Sequence, residues 1–73
     1  MMFLMREIQV VFYREGQHWV AKALDVGVSS FGDSLENARS AVREALELYF
    51  EDGPDDGQIE VRDARVETVA VLV

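Results

Sequence analysis

Three carboxylates near expected strand ends, Asp25, Asp33 and Glu36, are the residues whose type and spacing best suit metal chemistry in this chain. Two-metal nuclease chemistry needs several carboxylates converging on one point, with the ions about 3.5–4 Å apart. Asp33 and Glu36 stand at the reciprocal capping-box spacing, just where a helical pattern begins. Asp25 lies in a turn sequence, where Asp is common. All three are therefore read as structural, and no catalytic, cofactor-binding or metal-ligating residue is assigned. His18 is the residue type that serves as a general base near neutral pH. No Ser or Cys nucleophile stands beside it, so it is read as a surface His. Phe12, Tyr13, Trp19 and Phe31 would stack single-stranded bases only if basic residues were interleaved with them. Arg14 and Lys22 are too few, and packing in a core or interface is the better reading. Asp55-Asp56-Gly57 lacks the alternating acids and terminal Glu of a calcium loop and is read as a solvated acidic loop.

The elements that must position these residues follow from periodicity. Arg6 to Tyr13 alternates, with Ile8, Val10 and Phe12 on one face and Gln9, Val11 and Tyr13 on the other. β-branched and aromatic residues in that pattern make a strand. Arg14-Glu15-Gly16-Gln17 is a hairpin turn. His18 to Leu24 returns, with Trp19, Ala21 and Ala23 opposite in face to Val20, Lys22 and Leu24. Asp25-Val26-Gly27 bends the chain, and Val28 to Phe31 forms a third short strand. Asp33 or Ser34 then offers an N-cap oxygen. Leu35, Ala38, Val42, Ala45, Leu46 and Tyr49 recur at three- and four-residue steps, one apolar face of a helix. Its charged residues fall mainly off that face. Arg39 and Arg43 repel, and Arg43 and Glu47 attract, by about 0.2–0.5 kcal/mol each. The helix must stop near Glu51-Asp52-Gly53-Pro54. Gln58 to Val61 is a weakly signalled extended piece, and Val66 to Val73 reads as a final strand, apolar on both faces apart from Glu67 and Thr68.

The expected order is β-β-β-α-β, an α+β fold with one helix on a small, mostly antiparallel sheet. One helix covers one sheet face. The other face, and the two-sided apolar final strand, need cover from elsewhere. A lone core of 73 residues is marginal. With no Cys there is no disulfide and no thiolate metal site, and a single His18 excludes a His-rich one. A second subunit is the remaining support, so a homodimer or higher oligomer is expected. Val69, Val71 and Val73 are the candidate oligomer interface.

The formal net charge is −7. Residues 1–50 hold seven acids against five bases, and residues 51–73 hold seven against two. Such a chain is a poor partner for phosphate backbones, whose affinity comes from Lys and Arg releasing counterions. It suits a basic protein, because opposite fields speed encounter and reject wrong partners. Met1-Met2-Phe3-Leu4-Met5 is too short and lacks the basic start of a signal peptide, and nothing later is long enough to span a bilayer. A cytoplasmic protein of one domain over residues 1–73 is expected, with 1–5 as a start-site extension.

From about Met5 to Val73 the chain resembles the HicB-like antitoxins, the acidic partners in HicA/HicB toxin–antitoxin pairs. The first hairpin carries the likeness through Val10-Val11-Phe12-Tyr13-Arg14-Glu15-Gly16 and Trp19-Val20-Ala21. Ala23-Leu24-Asp25-Val26-Gly27-Val28-Ser29-Ser30-Phe31-Gly32-Asp33-Ser34 is similar to the family's bend and its G-D-S/T-x-E-E-A helix start. Asn37-Ala38 and Ala45-Leu46-Glu47-Leu48-Tyr49-Phe50-Glu51 continue it. The resemblance implies a truncated ribonuclease-H-like domain without nuclease chemistry, which binds a small basic RNA-cleaving toxin and covers its active site. The acidic loop residues Asp52, Asp55 and Asp56, together with exposed sheet residues, are the candidate contacts. Many members read P-D-L-P-G at the bend, where this chain has Leu24-Asp25-Val26-Gly27-Val28 without proline. Many also continue into a DNA-binding domain for which a chain ending at Val73 has no room, so no direct DNA binding is expected of it alone. The other expectation is an orphan HicB-like oligomeric adaptor or ligand-binding module with no toxin.

Overall fold

The computed structural model describes residues 7–51 and 59–73. Three strands, β1 (Val10–Glu15), β2 (His18–Ala23) and β3 (Ser29–Gly32), form an antiparallel sheet in the order β1-β2-β3. One helix, α1 (Leu35–Glu51), follows. The arrangement is α+β, with the β-β-β-α order that the alternation and the helical period predict.

The β1–β2 hairpin turns on two residues, Gly16 and Gln17, because Glu15 pairs with His18. Gly16 takes φ 62° at the first of these positions, where type II′ turns favour glycine. β1 therefore starts and ends later than Arg6–Tyr13. Its ladder needs β2 opposite, and Val10 faces Ala23, the last residue of β2. Beyond that pair the Leu24 N–H reaches across, donating to the Gln9 carbonyl at 2.8 Å.

The two faces of the sheet differ as the alternation requires. Ala21 on β2 meets Ala38 and Val42 on α1 in the buried core, with Val10, Phe12, Trp19 and Leu46 packed around them. α1 lies on β3 and β2. Gly32 makes that closeness possible. A Cβ there would stand 2.6 Å from the Ala38 nitrogen and 2.8 Å from the Asn37 carbonyl carbon. Only a residue without a side chain lets β3 run straight into the helix start.

The helix begins on Ser34. Its Oγ accepts the Asn37 N–H at 3.0 Å, which satisfies one free donor of the first turn. Of the two N-cap candidates, Ser34 takes the role. Asp33 turns outward, 89% exposed, with its carboxylate 3.6 Å from the His18 ring nitrogen. The Asp33–Glu36 spacing thus lies one residue before the real cap.

The final strand of the expected β-β-β-α-β order is a correction. Val66–Val73 has no ladder partner among the described residues, and Val66, Val69, Val71, Leu72 and Val73 are all exposed. The alternation is that of a strand, but a strand exists only when an edge accepts its N–H and C=O groups. The chain's own β1 edge is not occupied by it.

Candidate functional site

Asp25 is the one buried charged residue among the described residues, at 4% exposure. Its Oδ1 accepts the Val61 N–H at 2.9 Å, and its Oδ2 accepts the Gln9 N–H at 3.4 Å. Its own carbonyl accepts the Ile59 N–H at 3.1 Å. One residue thus ties the approach to β1, the β2–β3 bend and the segment after the helix. The bend is held further by the Ala23 N–H donating to the Val28 carbonyl and by burial of Val26. A carboxylate does here what ring rigidity would do in a proline-bearing bend.

The three carboxylates considered for metal chemistry therefore have three different settings. Asp25 binds backbone N–H groups, Asp33 faces His18, and Glu36 is exposed in the first turn of α1. Among the described residues no group of three His, Cys, Asp or Glu stands together in a way that would hold a metal ion.

The sheet face away from α1 has no cover among the described residues. Register places Tyr13, Val20 and Phe31 in one row across all three strands. Val11, Lys22 and Ser29 form the next row. Tyr13 is 40% and Phe31 71% exposed. His18 meets the Phe31 ring edge-on, with centroids 6.1 Å apart, so His18, Asp33 and Phe31 make a polar-tipped corner beside the row. The row is aromatic and aliphatic, with polar side chains at its end. Glu36, Glu44, Glu47 and Glu51 are exposed along α1 and contribute to the negative field.

A second apolar surface lies between β1 and α1. It is an open groove of about 1090 Å³, with Ile8, Val10 and Phe12 on the strand side and Val42, Leu46 and Phe50 on the helix side. Arg39 lies over the Phe12 ring at 5.6 Å and forms part of its rim. Arg14 lies over the ring of Trp19, its register partner, at 5.9 Å.

Asp52, Asp55 and Asp56, the sequence-based partner contacts, lie outside the described residues. Val69, Val71 and Val73, the sequence-based oligomer contacts, are exposed. The open row was legible from the alternation of β1 and β2, but Phe31 joined it only through the β2–β3 register. Asp25 gave only a turn signal, since its partners lie 16 and 36 positions away. No helix among the described residues is long and apolar enough to cross a membrane.

No family model matches the chain, and neither does any curated protein or solved structure.

Proposed function

We propose that this chain is a non-enzymatic protein-binding module, the antitoxin of a type II toxin–antitoxin pair, which binds and occludes a small basic HicA-type RNA-cleaving toxin. The observation that carries this reading is the row Tyr13–Val20–Phe31 on the sheet face away from α1, with Tyr13 and Phe31 exposed and Val20 half-buried between them. A hydrophobic centre of that kind supplies affinity through a few buried anchors. The net charge of −7 supplies steering toward a basic partner and discourages nucleic acid. The ordered likeness to the HicB-like antitoxins supports the choice of partner. Occlusion plus charge complementarity is the mechanism, and the chain's own residues perform no bond chemistry.

The test is co-purification of the tagged chain with the basic product of the neighbouring reading frame, followed by RNA cleavage with and without the chain. A stable complex that silences cleavage supports the reading. A folded chain that neither binds nor inhibits overturns it. The second reading is an orphan oligomeric adaptor or ligand-binding module without a toxin. In that case the folded chain leaves cleavage untouched.

A further inference from the structure

Two incomplete surfaces in this fold are complementary. Among the described residues β1 is an edge strand, paired with β2 on one side only. Beside that edge lies the β1–α1 groove, whose apolar lining includes Ile8, Val10, Phe12, Val42 and Leu46, with Arg39, Arg43 and Glu47 along its helix side. An edge strand with apolar side chains beside it is a template for another strand. The segment Val66–Val73 has the matching defect. Its five valines and leucines are 71 to 118% exposed, and it contains no Gly or Pro to interrupt a ladder. Eight residues span about 26 Å as a strand, at about 3.3 Å each, enough to run the length of six-residue β1.

We propose that the Val66–Val73 segment of one copy adds as a strand to the β1 edge of a second copy, reciprocally, so that each groove is filled by the other chain. The occupant is a second copy because the chain's own segment leaves the Asp25 anchor without lining its own groove. The side-chain pattern fits both new surroundings. Val69, Val71 and Val73 fall on one face of the added strand and meet the groove between Val10, Phe12 and Leu46. Val66, Ala70 and Leu72 fall on the other face and widen the open sheet surface beside Val11 and Tyr13. Exchange also remedies a shortage of core. The buried hydrophobic residues of the described chain are only Ala21, Ala23, Val26, Ala38 and Val42. Domains of this size commonly complete their core with a partner chain. This inference does not rest on the toxin reading.

The test uses the unmodified full chain. Light scattering after gel filtration measures the mass, and a sample mixing ¹³C-labelled with ¹⁵N-labelled chains is examined for contacts between copies. The expected result is twice the chain mass, with between-chain contacts from the Val69 and Val71 methyls to Phe12 and Leu46. Replacing Val69 with Pro, which removes a ladder donor, should weaken the dimer at least about tenfold. A monomer overturns the proposal, whether its segment is free or folded onto its own β1. A dimer whose between-chain contacts run through Tyr13 and Phe31 instead of the groove overturns it as well. The labelled mixture decides the question even if the Pro variant fails to fold.

Discussion

The carboxylate of Asp25 accepts the backbone N–H of Val61 at 2.9 Å, joining the β2–β3 bend to a segment 36 residues further on. The same carboxylate reaches the Gln9 N–H, so the approach to β1 and the segment after the helix meet on one side chain. The Val61 contact is the shorter of the two, and both partners are backbone donors.

Asp25→Ala leaves those donors without their acceptor in a buried site, and a loss of about 2–3 kcal/mol in unfolding free energy is expected. Urea denaturation measures it. Hydrogen exchange supplies the local readout, with the Val61 amide exchanging faster in the variant than in the parent. An unchanged Val61 rate would show that the carboxylate does not hold that segment.

Gly32→Ala tests the approach of β3 to α1. The added Cβ would stand 2.6 Å from the Ala38 nitrogen, and backbone has little freedom to move aside. A loss of about 1–3 kcal/mol is expected, the usual range for overpacking. A thermal melt that matches the parent would mean that the helix start shifts at no cost.

Ser34→Ala and Asp33→Ala form a paired test of the cap. Loss of the Ser34 hydroxyl removes the bond to the Asn37 N–H and should cost about 1 kcal/mol. Asp33 is 89% exposed, and its replacement should stay within about 0.5 kcal/mol of the parent. The reverse order of effects in chemical denaturation would assign the cap to Asp33.

Phe31→Ala separates binding from stability. The ring is 71% exposed, so its removal should change stability by no more than about 0.5 kcal/mol. If the open face anchors a basic toxin, affinity measured by calorimetry should fall at least about tenfold, as expected for a central aromatic anchor. Undiminished inhibition of RNA cleavage by this variant would move the contact surface elsewhere.

The elements of this fold were readable because each depends on near neighbours in the chain. Period-two alternation in β1 and β2 sorted Phe12, Ala21 and Trp19 from Tyr13, Val20 and Lys22. The three- and four-residue steps from Leu35 to Tyr49 marked the buried stripe of α1, with Ala38 and Val42 at its centre. Net charge and the lack of cysteine likewise needed no coordinates. What the tertiary structure decided depends on distant partners. Ser34 rather than Asp33 caps the helix, its hydroxyl taking the Asn37 N–H, and Gly32 leaves room for the Ala38 backbone beside it. Asp25 is an anchor rather than a turn residue because Gln9 and Val61 converge on it from either end. The segment Val66–Val73 has the composition of a strand in any setting, yet it forms no ladder here, because strand pairing belongs to two edges and one chain segment can carry only half of it.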